Sequence, residues 1–147
     1  MSKTTVRQTR IPLRRAIEEI SETLVRMADE ALSEGRMKAL KGRGFKSGQL
    51  DNLLGVAMET ESPYVVKNWV RYQMGRRSDR SLRGWSETGL GEQVVKDLDA
   101  LEGDARRIAR DVFGEETPEN IRRVHIALVR RYVGYLRRWF VAKGGKE

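Results

Sequence analysis

The chain has 147 residues, with 29 Lys and Arg against 21 Asp and Glu and a formal net charge of +8. This length is typical of one domain, and a hydrophobic share of 39% is enough for a modest core. The sequence contains no Cys and one His, which excludes disulfides, thiol nucleophiles and His-rich metal clusters. It also has no apolar stretch near the ~20 residues of a membrane span and no secretion signal at its N-terminus. We therefore expect a basic cytoplasmic protein without membrane association, metal, cofactor or catalytic site.

Apolar residues recur at helical spacing along almost the whole chain, and no run alternates as a strand does. This pattern predicts an all-α fold, a compact bundle of five helices that forms a single domain over residues 1–147. A break at Gly103 would divide the fourth helix and make six. The predicted helices span about 12–33, 47–58, 63–74, 90–113 and 118–142. Ser62-Pro63 and Thr117-Pro118 each combine a capping residue with a proline at the first helical position.

Two basic segments interrupt this pattern and are predicted to be mobile loops. Segment 35–48 holds four Gly and five cations without an acid, and segment 76–89 is a second basic loop. The glycines of the sequence GRGFKSG in the first loop lack the spacing and the preceding strand of a nucleotide-binding loop. The backbone N–H groups of this loop, together with Lys46, could instead contact an RNA phosphate.

The charge is distributed unevenly along the chain. Residues 1–83 hold 17 cations and 10 acids (+7), residues 84–120 hold 4 and 10 (−6), and residues 121–147 hold 8 and 1 (+7), which sum to +8. Basic regions of this kind favour binding to nucleic acid phosphates, although they also serve solubility and ion pairing on helix surfaces. Acidic and basic surfaces of neighbouring copies could also pack head to tail.

The last predicted helix carries two apolar stripes and an arginine row. On a helical projection the first stripe contains Ile121, Val124, Leu128, Tyr132, Tyr135 and Trp139. The arginine row on the opposite face contains Arg123, Arg130 and Arg137. A second stripe contains Ile126, Val133 and Phe140. Either the helix is surrounded by its own bundle with solvated arginines, or the second stripe meets a partner subunit while the arginines bind a polyanion.

Candidate catalytic groups are weak in this sequence. His125 lies next to apolar positions and is interpreted as a packing residue. The acids at 18, 19, 22, 59 and 61 are interpreted as helix-surface carboxylates, because no His or Cys accompanies them. The aromatic residues Phe45, Trp69, Tyr72 and Trp85 flank basic residues, which is compatible with base stacking, although Trp69 at helical spacing favours a place in the core.

Three local patterns follow one another in the chain. They are Ser47-Gly48-Gln49-Leu50-Asp51-Asn52-Leu53-Leu54, then Tyr72-Gln73-Met74-Gly75-Arg76, then a tyrosine-rich final helix that closes on Gly144-Gly145-Lys146-Glu147. In this order they resemble the small helical subunit of type III CRISPR effector complexes, the Csm-type small subunit, over roughly residues 45–147. The chain departs from that family at Asp51, where the family tends to have Arg, and at Gly48, which replaces a small hydroxyl residue.

The resemblance implies a non-catalytic subunit that stacks in several copies beside other CRISPR effector subunits and lines the channel for guide RNA and target RNA. The resemblance implies RNA contacts at positions 49, 52 and 76. The remaining candidates are Lys and Arg residues that follow from charge and periodicity. The predicted RNA-binding residues are Lys41, Arg43, Lys46, Gln49, Asn52, Arg71, Arg76, Arg123, Arg130 and Arg137. The predicted subunit interface consists of Ile126, Val133 and Phe140. The alternatives are a helical protein–protein adaptor and a general nucleic-acid-binding protein with basic faces.

Overall fold

The computed structural model describes residues 11–147, and every regular element in that range is an α-helix. In chain order the helices are α1 (Leu13–Ala31), α2 (Glu34–Gly42), α3 (Ser47–Glu59), α4 (Pro63–Gly75), α5 (Gly84–Glu87), α6 (Leu90–Phe113) and α7 (Pro118–Ala142). The predicted all-α fold is thus confirmed for this part of the chain. The predicted number of five to six helices is too low there, because two helices lie inside the segments predicted to be loops. Residues 1–10, which the predicted domain includes, lie outside the described residues.

The capping residues set the starts of α4 and α7 where the sequence predicts them. The hydroxyl of Ser62 accepts a hydrogen bond from the N–H of Val65 at 3.4 Å, and that of Thr117 accepts one from Asn120 at 3.1 Å. Each of these caps is followed by a proline at the first helical position, which needs no backbone donor there. By contrast, the predicted break at Gly103 does not occur. Gly103 is exposed within α6, where a side chain would meet no neighbouring atom.

Segment 35–48 is a helix and a turn rather than a mobile loop. The Ser33 hydroxyl caps α2 by accepting from the N–H of Arg36 at 3.2 Å, and Met37 and Leu40 are buried one turn apart. Gly44 then adopts a positive φ of 74°, a conformation that favours glycine, and the chain turns so that Phe45 enters the core. The glycines therefore stand mostly at the ends of α2, where they cost little helical stability.

The second basic segment, 76–89, is anchored by Trp85 in α5. The indole of Trp85 is buried and packs edge-on against Phe45 and Trp69, with ring centroids 5.4 and 5.8 Å apart. Its Nε1–H donates to the Oε1 atom of Gln49 at 3.2 Å. Burial of a large apolar side chain contributes about 1.5–3 kcal/mol. Leu82 of the same segment is buried as well, so two side chains hold this basic segment on the bundle.

Helix α7 lies at the centre of the fold and packs against α1, α3, α4 and α6. Both of its apolar stripes contribute to one hydrophobic core. Ile126, Val133 and Phe140 are all buried there, so the prediction that they form a subunit interface is wrong for the folded chain. The reason is that helices cover α7 on several sides, which leaves the second stripe no exposed surface. None of the described helices combines the length and apolar character needed to cross a bilayer.

The last four residues fold back onto the bundle. Gly144 has a positive φ of 91°, and the N–H of Gly145 donates to the carbonyl of Phe140 at 2.8 Å. A side chain on Gly145 would come within 2.3 Å of the Phe140 ring, so only glycine fits there. The carbonyl of Lys146 then accepts a hydrogen bond from the N–H of Ser47 at 2.8 Å. The Gly-Gly-Lys-Glu ending therefore holds the first turn of α3.

A buried polar group joins α6 to α7. The hydroxyl of Tyr132 donates to Asp97 at 2.6 Å, and the amide of Gln93 donates to the same carboxyl group at 2.9 Å. Burial raises the pKa of Asp97 above its ordinary value of 3.8, against the opposing effect of these two hydrogen bonds. Burial also raises the pKa of Tyr132 well above 10.0, and the neighbouring carboxylate raises it further. Tyr132 is thus the proton donor of this pair.

We expect Tyr132→Phe to lower the free energy of unfolding by about 1–3 kcal/mol at pH 7, because it leaves a buried carboxylate with one donor fewer. The folded chain holds the Asp97 proton more tightly than the unfolded chain does. The stability that comes from this tighter proton binding is complete below pH 3.8, and it is lost as the pH rises through the raised pKa of Asp97. The cost of Tyr132→Phe should therefore shrink on acidification towards pH 4, as urea unfolding at both pH values can measure. A cost that grows on acidification would contradict the assignment.

We expect Gly145→Ala to destabilise the fold by about 1–3 kcal/mol, because the new methyl group overlaps the buried Phe140 ring. Gly103→Ala is the matched control, since its methyl group meets no neighbour and alanine favours the helix by about 0.5–1 kcal/mol. Thermal unfolding of the two variants should therefore shift in opposite directions. Equal shifts would show that the C-terminal segment does not pack as described.

Candidate nucleic-acid interface

Two arginines of the predicted row on α7 bind the chain's own helix α3. Arg130 donates from Nε to the carbonyl of Ala57 and from Nη2 to that of Thr60, both at 2.8 Å. Arg137 donates from Nε to Asp51 at 2.9 Å. Arg130 thereby satisfies carbonyls at the C-terminal end of α3, where a helix leaves its last acceptors without partners. Arg123, the third member of the row, is exposed and lies 5.1 Å from the centre of the Phe113 ring.

The three cations predicted in the first basic segment have different surroundings. Arg43 forms an ion pair with Glu87 at 2.5 Å, so its charge is largely neutralised. Lys41 and Lys46 are exposed and form no ion pair with any residue of the described range. The Nζ atom of Lys41 lies in the space that a side chain on Gly144 would enter, and Lys46 lies beside Lys146 in a short parallel bridge. The structure thus brings Lys41, Lys46 and Lys146 together at the start of α3, and we call them the lysine cluster.

A groove between α3 and α4 brings together the three residues that the family resemblance carries over. Gln49 and Asn52 come from α3, and Arg76 follows the last residue of α4. This α3–α4 groove has a volume of about 520 Å³. It is lined by Gln49, Asp51, Asn52, Gly55, Val56, Glu59, Trp69, Tyr72, Gln73 and Arg76. Arg71 is exposed on α4 and has no ion-pair partner between residues 11 and 147.

The polar side chains of the α3–α4 groove are held in place from behind. The Oε1 atom of Gln49 accepts a hydrogen bond from the Trp85 indole, which can only donate. The NH₂ group of Gln49 therefore remains to donate to a ligand in the groove. Gln73 is only 3% exposed and accepts from Nη1 of Arg76 at 3.2 Å. The guanidinium of Arg76 also lies 5.6 Å from the centre of the Tyr72 ring. The groove therefore offers oriented donors, one unpaired cation and an aromatic ring.

Two acidic residues also line this groove and limit its positive charge. Asp51 stands where the family tends to have Arg, but its carboxylate is paired with Arg137. Glu59 is exposed on the same helix. Because Asp51 is neutralised from α7, the reversal of charge at this position is smaller in the folded chain than the sequence indicates.

A second groove lies between α1, α3 and α7 and contains two arginines that the sequence analysis missed. This α1–α3–α7 groove has a volume of about 500 Å³ and is lined by Ile17, Met58, Ala127, Arg130, Arg131, Gly134, Tyr135 and Arg138. Arg131 and Arg138 are exposed and lack ion-pair partners among the described residues. Their spacing of seven residues around Gly134 is the signal that could have found them. Met58 is 59% exposed and adds an apolar side chain to this groove.

The groups considered for catalysis lie in ordinary surroundings. The Nε2 atom of His125 forms a 2.8 Å hydrogen bond with the carbonyl of Leu98. Burial lowers the pKa of His125 below 6.5, and that hydrogen bond opposes the change. Glu19 and Glu22 pair with Arg15 and Arg26 on the surface of α1. Across residues 11–147, no group of three or more His, Asp or Glu side chains is arranged to hold a metal ion.

Comparisons with known proteins add no relative to this picture. No protein-family model, no curated protein and no solved structure matches the chain.

We expect Arg130→Ala to destabilise the protein by about 1–3 kcal/mol, because it leaves the carbonyls of Ala57 and Thr60 without their donor. Arg131→Ala is the control with the same change of charge on the next residue, and its stability should stay within about 0.5 kcal/mol of the parent. Chemical denaturation of both variants measures the difference. Equal stability of the Arg130→Ala and Arg131→Ala variants would contradict the capping role of Arg130.

Proposed function

We propose that this chain is a non-catalytic RNA-binding subunit of a type III CRISPR effector complex. In this proposal it contacts the backbone of guide RNA or target RNA through the α3–α4 groove and works in the cytoplasm beside other effector subunits and further copies of itself. Base pairing between the two RNAs supplies sequence specificity, while the protein binds phosphate and shape.

The observation that carries the proposal is the convergence of Gln49, Asn52 and Arg76 on one groove. The resemblance selects Gln49 and Asn52 from one pattern and Arg76 from another, and the fold brings all three to one groove between facing helices. The third pattern lies close by, since the backbone carbonyl of Lys146 in the C-terminal ending accepts a hydrogen bond from the N–H of Ser47 at the start of α3. All three patterns therefore meet around α3, which is the arrangement expected if they serve one surface.

The charges around this groove also favour a polyanion. Helix α4 contains no Asp or Glu, and two further arginines follow it at positions 76 and 77. Arg71 and Arg76 have no acidic partner in the described part of the chain, and the lysine cluster lies at the first turn of α3. Cations without acidic partners are the ones that release counterions when they meet phosphates.

The α1–α3–α7 groove favours a contact with another protein. The small residues Ala127 and Gly134 leave room for a helix to approach closely, and the exposed side chain of Met58 offers it an apolar contact. Arg131 and Arg138 would attract an acidic helix. We propose this groove, in place of the buried stripe on α7, as the contact to a neighbouring subunit. The same groove is the specific feature that favours the alternative function, a helical protein–protein adaptor.

We expect the pair of substitutions Arg71→Gln and Arg76→Gln to weaken RNA binding at least 10-fold at low salt. Each phosphate contact that is lost should reduce the dependence of log K on log salt by about 1. The pair Arg106→Gln and Arg107→Gln on α6 is the matched control, because it changes the net charge equally but removes arginines that are paired with Glu102 and Asp104. Fluorescence anisotropy with one RNA at several salt concentrations measures both effects.

Equal weakening by the two pairs would show that only net charge matters and would remove the groove from the proposal. A parent chain that does not bind RNA would contradict the proposed RNA-binding function. Recovery of the chain from its own cells with a discrete protein partner and no nucleic acid would favour the adaptor. Recovery with large backbone subunits and a guide-length RNA would support the CRISPR assignment.

A further inference from the structure

The structure separates the aromatic residues that flank the basic segments into buried and exposed ones. Phe45 and Trp85 are buried in the core, and Trp69 is half-buried against Trp85. Tyr72 is 62% exposed, and Tyr64 on the same helix is 76% exposed. Burial of an aromatic ring is strongly favourable, so two tyrosines that remain this open on one helix need an explanation other than packing.

The two exposed tyrosines lie on one face of α4 with polar residues between them. At 100° per residue, Tyr64, Asn68, Arg71 and Tyr72 fall within an arc of about 100°. The tyrosines are eight residues apart, which separates them by about 12 Å along the helix axis. A protein-binding surface would be expected to join them through apolar residues. Val65, which is 48% exposed, lies at the edge of this arc, but an amide and an unpaired guanidinium stand between the rings.

A cation lies close to each ring. The Nζ atom of Lys67 is 5.1 Å from the centre of the Tyr64 ring and is also paired with Asp99 at 2.8 Å. The guanidinium of Arg76 is 5.6 Å from the centre of the Tyr72 ring and is held by Gln73. Aromatic rings next to fixed cations are typical of surfaces that stack the bases of single-stranded nucleic acid while holding its phosphates.

We propose that the exposed face of α4 stacks unpaired nucleobases of RNA on Tyr72 and Tyr64, an inference that rests on the RNA-binding function proposed above. Successive bases of a duplex strand are about 3.4 Å apart. Rings separated by about 12 Å therefore cannot extend one continuous stack, and they suit bases that are splayed out of a helix. Arg71 between the rings would bind the phosphate that links such bases. The face thus selects unpaired RNA over a continuous duplex.

The test compares one single-stranded RNA of about 20 nucleotides with a fully paired RNA duplex of the same length. Tyr72→Leu and Tyr64→Leu remove a ring from positions where leucine suits the helix, whereas Tyr72→Phe and Tyr64→Phe keep the ring. Stacking by one ring corresponds to between about 5-fold and about 150-fold in affinity. We expect the Leu variants to lose single-strand affinity in that range, the Phe variants to stay within about 2-fold of the parent, and duplex affinity to stay unchanged. A 2-aminopurine base in the single strand should be quenched by the parent and Phe variants and not by the double Leu variant.

The outcomes separate this inference from the proposed function. Parent protein that binds both RNAs, with Leu variants that bind them equally well, overturns stacking and leaves the RNA-binding proposal standing. Leu variants that lose affinity for single strand and duplex alike also overturn stacking, because the tyrosines would then contact only the backbone. A parent that binds neither RNA overturns both proposals.

Discussion

The fold depends on the burial of α7 on more than one side. This helix has apolar residues around so much of its circumference that it can be stable in water only when other helices cover both of its stripes. Helices α1, α3 and α6 do so, and the packing against α3 has a chemical consequence. It brings Arg130 and Arg137 over the end and the side of α3, where their guanidinium groups meet carbonyl and carboxylate oxygens. The packing that forms the centre of the core therefore also fixes the position of α3.

The position of α3 in turn decides what the surface can bind. Its first turn is held by the C-terminal segment, its middle by Arg137, and its last turn by Arg130. The side of α3 that faces α4 is supported by Trp85 through Gln49. A groove whose side chains are already held by neighbours loses little conformational freedom when a ligand enters, so more of the contact energy appears as affinity. This holds for Gln49 and Arg76, which each have a supporting partner behind them.

The parts of this fold that could be predicted are those set by local chemistry. The starts of α4 and α7 follow from a capping hydroxyl before a proline, and α6 follows from long helical periodicity. Helix α2 was missed because only Met37 and Leu40 mark its buried side, and four glycines in the segment outweigh them in a local interpretation. The partners of Arg130 are about 70 residues away in the chain, and no local pattern points to them. Of the residues in the α3–α4 groove, Gln49, Asn52 and Arg76 were selected through the resemblance and Tyr72 through its basic neighbours, but neither signal indicated that they face each other.

The number of cations in the sequence overstates the number available to a phosphate backbone. Arg43, Lys67 and Lys143 are paired with Glu87, Asp99 and Asp29, and Arg137 is paired with Asp51. Ion pairs whose carboxylate is open to solvent contribute only about 0–1 kcal/mol, so at Arg43, Lys67 and Arg137 a phosphate could replace the carboxylate at modest cost. Arg130 and Lys143 are different, because each donates to two backbone carbonyls that would lack donors if a phosphate drew the cation away. Within the predicted arginine row, Arg137 and Arg123 thus remain compatible with RNA contacts, whereas Arg130 serves the fold. The proposed RNA surface extends from the lysine cluster along α3 to the exposed face of α4.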